Sequence, residues 1–124
     1  MQETDTVNRI GAACLAATGA LHLVLAPEYL SEQAYIGVLF IAGGIFALLV
    51  ALRLWRSDDP AAWTLGALTA AVMAVGFVLS RTVGLPGFHE EEWELSGLLS
   101  LALEAGVVAS AVAVIRSPRT ASTA

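Results

Sequence analysis

Glu104, His22 and Arg81 are the side chains of this 124-residue chain whose types could do chemistry at positions where polar groups are costly. Glu104 lies near the middle of the apolar run 95–115, which holds no other charge. A carboxylate at that depth in a bilayer costs at least about 2.5–3.5 kcal/mol on insertion scales, so it faces a bundle interior, takes a partner or holds a proton. Residues three and four apart share a helix face. The face around Glu104 reads Gly97, Ser100, Glu104, Val108 and Ala111, small and partly polar, which lets a neighbouring helix approach. Leu98, Leu99, Leu101, Leu103 and Ile115 fall elsewhere on the helix and suit lipid. Glu104 is then either a proton, ion or ligand site, or a hydrogen-bonded acid that locks two helices together.

His22 stands one turn inside the end of the first apolar run, and Arg81 ends the third. If the first, third and fourth runs share a core, His22 can meet Arg81, Glu28 or Glu104, and a buried polar site Glu104–Arg81–His22 opens to one side. The competing reading is a structural polar lock. A third is a metal site built from His22, His89 and the loop glutamates Glu28, Glu90 and Glu91. Its signal is weak, with no HxxxH, no CxxC and no ligand pair at fixed spacing, so the metal stays unknown. There is no GxSxG, no HExxH, no persuasive Ser–His–acid trio and no phosphate loop, and the expectation is a protein that is not an enzyme.

The elements that must position these residues are membrane spans. The chain is 57% hydrophobic and 14% charged, against about 25% charged in soluble domains. A domain of this size cannot bury so much apolar surface in water. Four apolar runs, 10–26, 36–52, 61–79 and 95–115, match a hydrocarbon core about 30 Å thick. The fold class expected is all-α: a four-helix, up-down transmembrane bundle over 10–115, with an N-terminal segment 1–9 and a disordered tail 116–124. The start lacks the basic stretch of a secretory signal, so the first run reads as an uncleaved span.

Punctuation supports this division. Pro27 is expected to stop the first helix, leaving 27–34 as a short acidic linker. Gly11, Leu15 and Gly19 form a packing stripe on span one, and Gly43-Gly44 marks close packing or a kink in span two. Tyr29 and Tyr35 suit a membrane interface, as do Arg53, Trp55 and Arg56. Asp58 or Asp59 caps the third helix, with Pro60 at its first position. The glycines and proline of 83–89 form a loop, and Glu90, Glu91, Glu92 and Glu94 precede span four, where the helix dipole favours acids. Cys14, the one cysteine, makes no intrachain disulfide and reads as a small buried residue.

All six basic residues are arginine. Arg9, Arg53, Arg56, Arg116 and Arg119 fall on one side of such a bundle and Arg81 alone on the other. The positive-inside rule therefore puts both termini in the cytoplasm of a multi-pass cell-membrane protein. The outer loops carry Glu28, His89, Glu90 and Glu91 among their charges. A net charge of −5 speaks against nucleic acid as a partner. The bilayer is the expected environment. Four short helices enclose little, so a homo-oligomer or a partner membrane subunit is expected too.

The segments 21–28 (LHLVLAPE) and 80–86 (SRTVGLP), with Leu103-Glu104, resemble a group of small four-span membrane proteins of actinobacteria. In that group a histidine of the first span, an arginine of the third and an acid of the fourth recur. The resemblance covers most of the chain and implies the fold and no activity. Small multidrug-resistance transporters are similar in size, but they carry their essential acid in the first span, which here has none. The function expected from the residues is binding or transport of an ion or small solute at the buried polar site. The alternative is an accessory or assembly subunit of a larger membrane complex, and the third reading is metal handling at the outer acidic face.

Overall fold

A computed structural model describes residues 2–57 and 59–116. Four helices follow in order: α1 (Gln2–Glu32), α2 (Ala34–Arg56), α3 (Pro60–Arg81) and α4 (Leu95–Arg116). Each is long and apolar enough to cross a bilayer, so this is a multi-pass membrane protein with an all-α four-helix bundle. The short connections force neighbours to run antiparallel. α1 packs on α2 and α4, and α3 on α2 and α4. The expected disordered tail beyond Arg116 lies outside the described residues.

Small residues set the tightest crossing. Gly19 of α1 and Gly44 of α2 face each other so closely that a Cβ on Gly44 would lie 2.8 Å from the Gly19 carbonyl oxygen. Gly43, its neighbour, takes no part in that crossing. Around it the core gathers Ala12, Leu15, Ala47, Leu54, Trp63 and Val107.

Two expectations are corrected. Pro27 does not end α1, which runs five residues further to Glu32 and takes up nearly all of the expected linker 27–34. An internal proline costs a helix about 3 kcal/mol locally. Here the last turn is held by tertiary contacts: Tyr29 is buried and hydrogen-bonded to Arg81 of α3 and to Glu94, which directly precedes α4. At the other end, α1 begins at Gln2, and Asn8 is a core residue instead of part of a solvated terminus. Trp63 is fully buried, and its indole N–H needs an acceptor, which the Asn8 Oδ1 supplies at 2.9 Å. The Asn8 amide in turn donates to the Leu54 carbonyl in the last turn of α2.

The turn between α2 and α3 follows its sequence signals. Asp59 Oδ1 accepts the Ala62 N–H at 2.8 Å, Pro60 opens the helix, and Arg53 pairs with the same carboxylate. Between α3 and α4, Leu85 and Phe88 close a tight turn through reciprocal backbone bonds of 2.7 and 2.8 Å. Pro86 fixes φ at its first corner, and Gly87 takes the positive φ of 65° at its second.

Candidate functional site

Besides the Asn8–Trp63 link, the described residues place two polar clusters inside the apolar bundle. The first is built from α1 and α4. Glu104 is 1% exposed. Its Oε2 accepts from Ser100, one turn earlier on the same helix face, at 2.5 Å, and from Thr18 of α1 at 2.8 Å. The two hydroxyls lie 2.9 Å apart. Oε1 of the same carboxyl is buried and, among the described residues, has no hydrogen-bond partner. A buried acceptor without a donor is uncommon, because leaving one unmade costs about 1–3 kcal/mol.

His22 continues this cluster one turn along α1. Its Nδ1 lies 2.8 Å from the Thr18 carbonyl. A carbonyl only accepts, so Nδ1 carries the proton and donates. That leaves Nε2 as the ring nitrogen available to anything bound beside it. The ring packs against Phe40 of α2, with centroids 4.7 Å apart.

The second cluster surrounds Arg81 at the end of α3. Its guanidinium donates to Tyr29 Oη and Glu94 Oε1, both at 3.1 Å, to Ser80 Oγ at 2.8 Å, and to the Glu92 carbonyl at 3.1 Å. It also lies over the Phe77 ring, 4.2 Å from the centroid. The Arg81 side chain is buried, and the charge is satisfied where it stands.

Arg81 and Glu104 therefore sit in different clusters and do not bond to each other. A cavity of about 670 Å³ reaches both clusters, through His22 and Ser100 of the first and Arg81, Ser80 and Tyr29 of the second, while Glu104 does not line it. His22, Tyr29, Ser80, Arg81, Ser96 and Ser100 supply most of its polar lining, toward one end, and Thr69, whose hydroxyl donates to the Leu65 carbonyl, lies further along α3. The rest is apolar and comes mainly from α2 and α3, including Phe40, Phe46, Leu68, Val72, Met73 and Phe77. Gly76 also lines it, and a Cβ there would meet nothing within 4 Å. Leu39, Leu68 and Val72 are both lining and exposed, so the cavity opens sideways between α2 and α3.

The loop residues stand apart from this. His89 Nε2 is turned to the Thr82 carbonyl at 2.9 Å and shapes the α3–α4 loop. Glu28 and Glu90–Glu91 stay at the surface. Among the described residues no three of His, Cys, Asp and Glu gather closely enough to hold a metal ion.

Sequence reading missed three members of these clusters. Thr18 stands beside Gly19 of the packing stripe in a run of small residues, yet its spacing of four to His22 places both on one face. Tyr29 reads as an interface anchor but is 3% exposed and bonds to Arg81. Glu94 reads as one of several acids favoured by the helix dipole, yet its carboxylate is the counter-charge of Arg81. Comparisons with protein-family models, with curated proteins and with solved structures found no match.

Proposed function

We propose that the protein binds a small solute in the cavity between its helices, with the polar groups of His22, Arg81 and the Ser100–Glu104 pair orienting it. One observation carries this reading: the polar groups from α1, α3 and α4 converge on one end of an otherwise apolar space of about 670 Å³. Ligand sites have this composition, a mostly apolar wall with a few placed polar groups, and volumes of about 300–1,000 Å³. The size and the apolar wall favour an organic solute over a bare ion, which needs several oxygen or nitrogen ligands around it. Glu104 contributes from behind Ser100 by fixing that hydroxyl.

Native mass spectrometry of the protein, extracted gently from its own membrane, tests the reading. The expected result is a retained small molecule of one defined mass in the wild-type protein and none in a Gly76→Leu variant. Leucine at position 76 projects from α3 into the cavity and narrows it. A wild-type protein that retains nothing, or a variant that retains the same mass equally well, overturns the reading.

A further inference from the structure

We propose that the solute is a membrane amphipath with an extended apolar part and an uncharged head bearing a hydroxyl or carbonyl, taken up sideways from the bilayer. This rests on the solute-binding reading above and names the solute class.

Access decides the phase from which the solute comes. At the Arg81 end the cavity is roofed by Leu85 and Phe88 of the α3–α4 loop. That roof is tied to the start of α2: Gln33 Nε2 donates to the Gly87 carbonyl at 2.8 Å, and the Tyr35 hydroxyl donates to the Pro86 carbonyl. The open side lies between α2 and α3, where the exposed Leu39, Leu68 and Val72 meet lipid. A solute that enters there is one already dissolved in the membrane.

Length suits the extended apolar part of a lipid. The cavity follows α3 from Leu65 to Arg81, about 24 Å at 1.5 Å per residue.

Charge decides the head. The Arg81 guanidinium is already matched by Glu94 and bonded to Tyr29, Ser80 and the Glu92 carbonyl, so it offers no free positive charge. Glu28, Glu90 and Glu91 flank this end of the bundle, and an anionic head meets their repulsion. What remains at that end is Nε2 of His22 and the hydroxyl of Ser96, groups suited to a neutral hydrogen-bonding head.

The test is a native mass spectrometry titration of the full chain in neutral detergent with two probes. Monoolein has no charge, and oleoyl-lysophosphatidylglycerol has the same acyl chain and a negative charge. The expected result is one monoolein per chain, held at least tenfold more tightly than the anionic lipid. Gly76→Leu lowers monoolein affinity tenfold or more. His22→Leu leaves chain binding but removes at least half of the preference over the anionic probe. Equal binding of the anionic lipid overturns this inference and leaves a solute site of another class. Unchanged monoolein binding in folded Gly76→Leu protein overturns both this inference and the cavity reading it rests on.

Discussion

The Arg81 guanidinium donates to the Glu94 carboxylate across 3.1 Å and so joins the last turn of α3 to the residue directly before α4. The two ends are unequally wet: the Arg81 side chain is 2% exposed and that of Glu94 33%. Removing Glu94 strands a buried charge, whereas removing both partners strands no charge and leaves only the neutral Tyr29 and Ser80 hydroxyls and the Glu92 carbonyl without these bonds. Breaking a buried pair costs about 3–5 kcal/mol. The partly exposed carboxylate and the remaining donors' partners bring the expected loss for Glu94→Ala down to about 2 kcal/mol, near the cost of a charged hydrogen bond. The double variant Arg81→Met/Glu94→Leu is expected to recover at least half of it. Reversible unfolding in mixed micelles measures both, and a double variant no better than Glu94→Ala sinks this account.

Thr18, Ser100 and Glu104 make the corresponding prediction inside the membrane. Glu104→Gln keeps a carbonyl oxygen in place to accept from both hydroxyls, so the fold is expected to survive with a small change in midpoint. Thr18→Val with Ser100→Ala removes both donors to the carboxyl and is expected to cost about 1–3 kcal/mol. If the glutamine variant proves less stable than this double variant, the acceptor role assigned to Oε2 is wrong.

The crossing of α1 and α2 sets a steric limit that α3 lacks. A Cβ on Gly44 meets the Gly19 carbonyl at 2.8 Å and the Leu23 side chain beside it. Backbone cannot yield as a flexible side chain can, and overpacking of this kind costs about 1–3 kcal/mol. Gly76→Ala meets open space and gains helix propensity, up to about 1 kcal/mol. The two alanine variants are therefore expected to shift the unfolding midpoint in opposite directions, and shifts of the same sign contradict the packing described.

Much of this bundle is legible in the sequence, and the reasons differ from element to element. Four apolar runs separated by charges and turn residues give the helices, because the bilayer punishes any other backbone. Glu104 faces inward because its stripe is small while Leu98, Leu99 and Ile115 are not. Pro27 misleads because local propensity says stop, whereas the contacts of Tyr29 with Arg81 and Glu94, some fifty to sixty-five residues away in sequence, hold the helix. The placement of Arg81 away from Glu104 is equally non-local. It depends on which of several nearby acids a long side chain reaches, and Glu94 lies on the same level while Glu104 lies deeper. Asn8 is hidden for a related reason: nothing in an N-terminal polar segment announces that an indole N–H on α3 will need its oxygen.

That Asn8 link tests the opposite end of the bundle. Asn8→Ala leaves the Trp63 indole N–H and the Leu54 carbonyl without their partners, each in a dry core. The expected loss is about 1–3 kcal/mol for each orphaned group, short of full additivity because one residue serves both. Trp63 fluorescence, read in a Trp55→Phe/Trp93→Phe background, is expected to change with the lost hydrogen bond. A variant with wild-type stability and an unchanged spectrum excludes the link.

Asp59 gives the pH prediction, since it lies in the α2–α3 turn outside the spans. The Ala62 N–H holds its carboxyl below the ordinary value of 3.8, helped by Arg53 and Ser57. The folded form thus binds the proton less readily than the unfolded form. A depressed folded-state value contributes stability that is complete above 3.8 and fades as pH falls through the lower folded-state value. Asp59→Asn keeps a capping oxygen but cannot titrate. The difference in unfolding midpoint between wild type and Asp59→Asn is therefore expected to be constant from pH 7 down to about 5 and to shrink below about 4. A difference that stays constant through the acid range would show that the cap does not hold its proton affinity down, and the Asp59–Ala62 bond would have to be discarded as the start of α3.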